Sequence, residues 1–403
     1  MKPLEPVTFC CRSVFLTLLF ATVTKGGTLK AESPPPLTTA ASITTTNTTD
    51  IKATNTREDH TEICPAVITE DITDTVRGIP EHLYKSHASC EQTLPVYFWD
   101  GKLRWNVTNV GDEVNKDLMS FLLNRPQSEL LLTASTQVSP KLLAVGSVLQ
   151  FAQPGDLVWG SGLHDASMPN TDWESLKQVK MLALRGPFSR QRLRQNNVTC
   201  SVNNFGDPGL LIPFVFPSLL LDAKRNYTRG HPHCFLPHNS HESHLDQSPL
   251  KEELERNNVT VLLTRNQPYQ QIEALLHCHH VVSTSLHGLV FAHALGIPAT
   301  WLFDMSLPLN PGVFKFRDYF YSLNMRSKFW ASNMTEALTG AKAQVPELQK
   351  LMKSWLSLAE SFPFNDICRN GDHVKETFRQ FIDALRTSSQ VILERREVDW
   401  ESD

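Results

Sequence analysis

The sequence lacks the marks of several large protein classes. It has no long run of Lys and Arg and no alternation of basic with aromatic residues, and its 403 residues carry a formal net charge of −4. These absences argue against nucleic-acid binding. No Cys-x-x-Cys pair and no His/Cys cluster has metal-ligand spacing, because the run Cys278-His279-His280 is too compact and lies partly in a predicted strand. We therefore expect neither a metal nor a cofactor.

No apolar run reaches the ~20 residues that a membrane-spanning helix usually needs. Residues 14–23 form a short apolar stretch that follows Lys2 and Arg12. This suits the core of a signal peptide, although no clean small-x-small cleavage site follows it. Residues 1–24 are therefore interpreted as a signal peptide or as a short signal anchor. We favour the anchor, because early secretory membranes accept shorter spans and the next segment reads as a stem.

Residues 25–60 differ in composition from the rest of the chain. They are rich in Ser, Thr, Pro and Ala and contain few large apolar side chains. Such a segment cannot bury enough apolar surface to fold, so we expect a disordered stem, either O-glycosylated or unmodified.

Acceptor sites for N-glycosylation and an even number of cysteines both indicate the lumen of the secretory pathway. Beyond Cys10 and Cys11 the cysteines fit disulfides, whose pairing the sequence does not reveal. We expect a single-pass type II membrane protein of the secretory pathway, in the Golgi, or a secreted protein if the N-terminal segment is cleaved. The acceptor sites begin at Asn47, Asn106, Asn197, Asn226, Asn258 and Asn333, and the remaining cysteines are Cys64, Cys90, Cys200, Cys234, Cys278 and Cys368.

The stretch 279–298 organises the C-terminal half of the chain. Residues 281–282 are β-branched, as in a parallel strand covered on both faces, and residues 286–295 have apolar residues at helical spacing. A strand that turns into a helix leaves backbone N–H groups unpaired at the positive end of the helix dipole, which makes an anion site. The side chains placed to contact a phosphate or carboxylate there are Ser283, Ser285 and His287. The alternative is that the hydroxyls only cap the helix and His287 is a core histidine.

Residues 283–298 are similar to the signature of the polysaccharide pyruvyl transferase family, and further blocks of that signature occur in the family's order over roughly residues 95–325. The blocks are Asn109-Val110-Gly111-Asp112-Glu113, Trp159-Gly160-Ser161-Gly162, Leu184-Arg185-Gly186-Pro187, Gly206-Asp207-Pro208-Gly209-Leu210-Leu211 and Lys315-Phe316-Arg317-Asp318-Tyr319. The last block fits the bacterial exopolysaccharide branch. The resemblance implies an enzyme that moves the enolpyruvyl unit of phosphoenolpyruvate onto hydroxyls of a glycan sugar, usually as a ketal.

Strands and helices that alternate in short order predict parallel sheets with right-handed crossovers. We expect an α/β protein with two Rossmann-like domains, residues 90–217 and 230–390, that face a cleft. This arrangement is GT-B-like, which the resemblance also implies. Within the first domain, residues 210–212 are predicted to form a short buried strand.

Several residues of the first domain are candidates for the cleft. Gly111 and Gly160 permit backbone to approach a ligand closely, and Asn109 begins the same block as Gly111. Asp112 lies in the first turn of a predicted helix, where it either caps the helix or acts as a base toward a sugar hydroxyl.

Arg185 follows a predicted strand at the edge where open α/β sheets bind ligands. Its guanidinium would pair with a phosphate or carboxylate. The alternative is a salt bridge with Asp207 or Glu113.

In the second domain, the resemblance places His238 near the cleft and makes His287 the general acid. Many family members carry Ser-x-Arg-x-His, whereas Ser285 stands at the Arg position here. One cation of the anion site must then come from elsewhere, and Lys315 and Arg317 are the candidates.

Two other functions remain open. The first is a nucleotide-sugar glycosyltransferase with the same two-domain fold; no Asp-x-Asp motif occurs, which disfavours the metal-dependent GT-A type. The second is an inactive relative that binds glycans, which the serine at position 285 makes plausible.

Overall fold

In the computed structural model, the described residues are 65–101, 108–168, 171–222, 230–242, 245, 249–304, 312–326 and 328–402. They belong to one compact unit, residues 61–403. The predicted signal or anchor (1–24) and stem (25–60) lie outside the described residues. The same holds for Asn47, Asn106, Asn226 and Cys64. Among the helices of the described ranges, none is long and apolar enough to cross a membrane.

Two parallel sheets form the centre of the α/β fold. The first has the strand order β2-β1-β3-β4-β5 and the second the order β7-β6-β8-β9, with every pairing parallel. The strands are β1 (Val96–Tyr97), β2 (Leu132–Thr133), β3 (Leu142–Leu143), β4 (Leu157–Trp159), β5 (Lys180–Ala183), β6 (Cys234–Leu236), β7 (Thr260–Val261), β8 (Val281–Ser283) and β9 (Ala299–Trp301). The prediction of a Rossmann-like α/β fold with parallel sheets is confirmed.

Helices connect and cover the strands. They are α1 (Pro65–Gly78), α2 (Val110–Leu123), α3 (Trp173–Leu176), α4 (Pro187–Gln195), α5 (Ile212–Val215), α6 (Pro217–Leu221), α7 (Asn239–Glu242), α8 (Pro249–Arg256), α9 (Pro268–Leu276), α10 (Leu286–Ala294), α11 (Phe314–Ser322), α12 (Met334–Leu338), α13 (Leu348–Ser361), α14 (Phe364–Ile367) and α15 (Gly371–Ser402). Short 3-10 helices span Glu81–Tyr84, Gln127–Glu129, Leu149–Phe151 and Pro208–Leu211.

The strand predicted at residues 210–212 is wrong. The side chain of Asp207 accepts a hydrogen bond from the Gly209 backbone N–H (2.9 Å), and Pro208 occupies the first helical position. An N-cap followed by proline starts a helix, so this apolar run forms a 3-10 turn that continues into α5.

Buried aromatic side chains join the C-terminal helices to the first half of the chain. The Trp159 indole N–H donates to the Leu358 carbonyl (3.0 Å), and the Trp355 indole N–H donates to the Leu210 carbonyl (2.7 Å). A buried indole normally needs such a partner, so each tryptophan combines a large buried area with a directional contact. The long helix α15 packs against α1, and the Ser388 hydroxyl of α15 donates to the Thr75 carbonyl (2.8 Å).

Two disulfides are formed, Cys90–Cys368 and Cys234–Cys278, whereas Cys200 is buried and unpaired. The first joins the segment before β1 to the segment before α15, 278 residues apart in sequence. The second lies in the second sheet, between β6 and the residues that precede β8. The prediction that cysteines pair is therefore confirmed for four of them.

Candidate active site

A cavity of about 550 Å³ opens where the strands of both sheets end. Ligands of α/β proteins bind at the carboxyl ends of parallel strands, because loops and helix N-termini meet there. The lining residues are Trp99, Asn109, Asp112, Ser147, Val148, Gln150, Phe151, His164, Met168, Thr171, His238, Asn239, Ser285, Leu286, His287 and Lys315.

Ser283 fixes the turn between β8 and α10. Its hydroxyl donates to the Leu236 carbonyl (2.7 Å) and accepts from the Ser285 backbone N–H (2.9 Å). The side chain is fully buried and does not line the cavity, so a ligand contact of Ser283 stays a prediction. Its hydroxyl is already used to hold Ser285 at the start of α10.

Ser285 is the N-cap residue of α10 and lines the cavity. Its side chain makes no capping hydrogen bond, so the hydroxyl is not used inside the helix. The first N–H groups of a helix have no intrahelical acceptor and lie at the positive end of its dipole. The start of α10 therefore presents oriented hydrogen-bond donors to the cavity.

His287 lies in the first turn of α10, pressed against α2. A Cβ atom built on Gly111 would lie 1.7 Å from His287 Nδ1, so only glycine leaves room for this imidazole. Burial, together with the charges of Lys315 and Arg185, lowers the pKa of His287 to about 3. His287 is therefore neutral at pH 7 in the ligand-free protein, and its Nε2 has no partner among the described residues.

Asp112, also in the first turn of α2, is buried (6% exposed) and lines the same cavity. Asn109 caps α2 and its Nδ2 donates to Asp112 Oδ2 (2.6 Å), which fixes the orientation of the carboxyl group. Burial raises the pKa of Asp112 to about 7, an effect that the charge of Lys315 and the Asn109 hydrogen bond oppose. A carboxyl group that titrates near neutrality suits a general base.

Lys315, in the first turn of α11, is a buried cation that lines the cavity. It is 5% exposed and makes no hydrogen bond or ion pair with any described residue. Burial and the nearby Arg185 charge lower the pKa of Lys315 to about 7, while Asp112 raises it. An unpaired buried ammonium is costly, which indicates a place prepared for an anion.

His238 follows β6 and also lines the cavity. Its Nδ1 is hydrogen-bonded to the Ser240 hydroxyl (2.8 Å), and its backbone N–H donates to the Thr284 hydroxyl (2.8 Å). Burial lowers the pKa of His238 well below its usual value, and the charge of Lys315 acts in the same direction. His238 is thus a second neutral imidazole at this edge.

Arg185 is beside the cavity but does not line it. Its NH1 donates to the Ser147 hydroxyl (2.6 Å), its NH2 donates to the Leu163 carbonyl (2.6 Å), and the guanidinium lies 3.4 Å from the Asp318 carboxylate. The acid in contact with Arg185 is Asp318, and the charge of the predicted alternative Asp207 also acts on it. Contact of Arg185 with a ligand stays a prediction. Arg185 supports Ser147, which does face the cavity.

Two further residues predicted to contact a ligand do not line the cavity, so their role in binding stays a prediction. Arg317 lies against the Phe188 ring (5.4 Å) in a separate groove, because residues two apart on a helix point in nearly opposite directions and Lys315 takes the cavity side. Gly160 has φ +82° and packs on Pro208, where a Cβ would lie 2.3 Å from Pro208 Cγ. This close contact requires glycine at position 160.

The structure therefore brings Asn109, Asp112, His238, Ser285, His287 and Lys315 to one cavity. Sequence analysis missed the residues that the first sheet contributes, of which Trp99, Gln150 and Phe151 are the most prominent. They lie in loops after β1 and β3 and belong to no recognised block. Their position just after a strand of a parallel sheet is the signal that could have identified them.

The structure is an α/β protein in which one cavity is lined by the start of α10 and by Asp112 and Lys315, each with a pKa of about 7. The family model described as polysaccharide pyruvyl transferase matches residues 141–302, which include β3 to β9 with His238, Ser285 and His287. This match supports an enzyme of the transferase class and polysaccharide pyruvyl transfer in general.

A relative described as "Uncharacterized protein L143", from Acanthamoeba polyphaga mimivirus, is 26% identical over 216 residues. The aligned part is 52% of this chain and 69% of the relative. No solved structure matches the chain.

Proposed function

We propose that the protein transfers the enolpyruvyl unit of phosphoenolpyruvate to two hydroxyls of a glycan sugar, which forms a pyruvate ketal and releases phosphate. The observation that carries this proposal is the buried, unpaired Lys315 in one cavity with Asp112 and the N-terminus of α10. Together with the match to the family, it favours a small dianionic substrate.

The donor binds on one side of the cavity, formed by Lys315 and the start of α10, which we call the ionic side. The Lys315 ammonium, the first N–H groups of α10 and the Ser285 hydroxyl hold the phosphate and carboxylate. The bound negative charge raises the pKa of Lys315, which keeps the ammonium protonated, and raises the pKa of His287 from its low ligand-free value. The substrate thereby makes His287 a stronger candidate for proton donor than it is in the empty site.

The chemistry then balances within this set of residues. His287 gives a proton to the methylene carbon, which becomes the methyl group, while a sugar hydroxyl forms a bond to the neighbouring carbon and passes its proton to Asp112. The carbon–oxygen bond to phosphate then breaks, and phosphate leaves with the electron pair and takes the proton from Asp112. The second hydroxyl bonds to the cationic carbon that remains and passes its proton to His287, which restores both groups.

We further propose that the two sheets are the centres of two Rossmann-like domains in a GT-B-like arrangement, residues 90–217 and 230–390. The assignment to the bacterial exopolysaccharide branch stays a prediction. We also propose a Golgi or secreted location with N-glycosylation. The two disulfides and the exposed positions of Asn197, Asn258 and Asn333 are compatible with it.

Thermal unfolding of the purified protein tests donor choice. A ligand that binds only the native state at 100 times its Kd adds about 2.7 kcal/mol of stability. We expect phosphoenolpyruvate to raise Tm by several degrees and a panel of nucleotide sugars to leave it unchanged. Stabilisation by a nucleotide sugar alone would instead assign the cavity to a glycosyltransferase.

Gly111→Ala should displace the His287 imidazole, because the new methyl group would overlap its ring. Overpacking of this kind costs about 1–3 kcal/mol. We expect phosphoenolpyruvate binding to weaken at least tenfold, measured by isothermal titration calorimetry. Gly340→Ala is the control: it has φ +72° but nothing within 4 Å of the added Cβ, so it should cost stability and leave binding intact. Equal binding by both variants would remove His287 from the site.

A further inference from the structure

The two sheets contribute different chemistry to the cavity. The second sheet and the helices after it supply His238, Ser285, His287 and Lys315. The first sheet supplies Trp99 after β1, and Val148, Gln150 and Phe151 after β3. We call this second group the aromatic wall. An anionic donor is held by the ionic side, so the aromatic wall is left for another part of the reaction.

The aromatic wall is rigidly built. The rings of Trp99 and Phe151 are stacked, with centroids 5.7 Å apart and an interplanar angle of 15°. Phe151 belongs to the 3-10 helix Leu149–Phe151 and also contacts the Tyr97 ring of β1 at 6.4 Å. Because Trp99 stacks on a ring that lies in this 3-10 helix, its indole presents a flat surface to the cavity.

Gln150 adds a side-chain amide whose oxygen has no partner among the described residues. Its Nε2 donates to the Ser147 backbone carbonyl (2.8 Å), which fixes the orientation of the side-chain amide. Its Oε1 is buried and accepts no hydrogen bond from any described residue. A buried acceptor of this kind normally has a partner, so a ligand with a hydroxyl donor would satisfy it.

Ser147 is available for the same ligand. Its oxygen accepts from Arg185 NH1 (2.6 Å), which leaves the hydroxyl proton to be donated. The aromatic wall therefore offers a flat apolar face beside one fixed acceptor and one fixed donor. This combination matches a pyranose ring, which has an apolar C–H face and hydroxyls that both donate and accept.

We infer that the aromatic wall is the acceptor subsite, where a hexopyranose stacks its C–H face on Trp99 and donates a hydroxyl to Gln150 Oε1. The role of the sugar as acceptor rests on the proposed function. The binding of a sugar at the aromatic wall is a separate claim. The cavity of about 550 Å³ has the size that holds a drug-sized ligand, which leaves room for a sugar beside phosphoenolpyruvate.

Fluorescence titration with methyl hexopyranosides of the gluco, galacto and manno series tests this binding without any turnover. Trp99 is one of eight tryptophans. We expect at least one of the glycosides to change the emission of the wild-type protein, and Trp99→Phe to abolish the change. Trp173→Phe is the matched control, because Trp173 is half-buried but does not line the cavity. Loss of the signal in the control variant alone, or its survival in Trp99→Phe, would overturn the assignment.

Steady-state kinetics test the role of the subsite in the reaction. Trp99→Ala and Gln150→Met should each raise the acceptor KM about tenfold, the order of one stacking or hydrogen-bond contact. The Kd of phosphoenolpyruvate, measured by calorimetry, should stay within twofold in both variants. A tenfold loss of donor affinity with an unchanged acceptor KM would place the donor on the aromatic wall and overturn the inference.

The acceptor subsite and the proposed pyruvyl transfer can each be refuted without the other. If phosphoenolpyruvate is bound and turned over while Trp99→Ala and Gln150→Met leave the acceptor KM unchanged, the subsite assignment is wrong and the proposed function stands. If a glycoside perturbs Trp99 and phosphoenolpyruvate never binds, the sugar subsite is supported and the pyruvyl transfer is wrong. The conservative variant Trp99→Phe keeps an aromatic ring in the core, so its folding is checked by an unchanged Tm.

Discussion

Lys315→Met is expected to make the ligand-free protein more stable and to abolish donor binding. Lys315 is a buried lysine that forms no ion pair with a described residue, although the charge of Asp112 acts on it, and methionine fills a similar volume without a charge. Relief of such a charge stabilises by about 2 kcal/mol. Loss of a charge-assisted contact of roughly 3 kcal/mol weakens phosphoenolpyruvate binding about 100-fold.

The pH dependence of the stability gain follows from the lowered pKa of Lys315. The folded protein carries the ammonium only below about pH 7, whereas the unfolded chain keeps it up to the usual lysine pKa near 10.4. Unfolding therefore takes up a proton between these values. The gain from Lys315→Met is fully present below pH 7 and declines as pH rises above 7.

Lys141→Met is the matched control, because Lys141 is equally buried but forms an ion pair with Asp156 at 2.5 Å. Removal of one partner leaves a buried carboxylate uncompensated and costs about 3–5 kcal/mol. Chemical denaturation and calorimetry of the two variants should thus give free energies of unfolding that change in opposite directions. A Lys315→Met protein that is destabilised, or that still binds phosphoenolpyruvate with native affinity, would contradict the anion-site assignment.

Asp112→Asn is expected to lower kcat by about 100- to 10,000-fold, the range of a positioned general base. Asparagine keeps the shape of the side chain and removes the basic oxygen. The Kd of phosphoenolpyruvate should stay within a few-fold, because Asp112 faces the donor with a negative charge and its removal does not weaken anion binding. Single-turnover kinetics separate the two effects.

The pH profile of kcat/KM tests the same assignment of Asp112 as the general base. Activity should rise as Asp112 loses its proton near pH 7 and fall as Lys315 loses its proton, so the wild-type profile is a narrow bell. The bound anion raises the pKa of Lys315, which moves the falling limb of kcat to higher pH than that of kcat/KM. Asp112→Asn should lack the rising limb. A rising limb that persists in this variant would assign the base to another group.

The fold was largely predictable from local pattern. Parallel strands such as β4 and β8 are short apolar runs that end in glycine or hydroxyl residues, and the helices after them have apolar residues at helical spacing. The failure at residues 210–212 has a local cause, since the Asp207-Pro208 cap outweighs the strand preference of an apolar run.

The site was predictable where a residue sits in the first turn of a helix that follows a strand. Asp112, Ser285, His287 and Lys315 all do so, and all line the cavity. The direction of a side chain was not predictable without the helix bounds. The sequence offered Lys315 and Arg317 as equal candidates for the cation of the site. Because α11 begins at Phe314, the two side chains lie about half a helical turn apart.

Long-range contacts explain the other failures. Arg185 forms an ion pair with Asp318, which lies 133 positions later in the chain. Gly160 packs against Pro208. The aromatic wall depends on the stacking of Trp99 on a residue more than fifty positions away, Phe151. Sequence spacing does not predict such pairs. In the sheet β1 lies beside β3, although β2 stands between them in the sequence.

The most direct test of pyruvyl transfer is incubation of the purified protein with labelled phosphoenolpyruvate and a panel of methyl hexopyranosides and oligosaccharides, read by mass spectrometry. The account predicts a labelled glycoside heavier than its parent by one pyruvate less one water, with one phosphate released for each ketal formed and no product from the Lys315→Met or Asp112→Asn variants. Phosphoenolpyruvate that raises Tm but is recovered intact with every acceptor, or label that enters glycosides equally well in both variants, would contradict it.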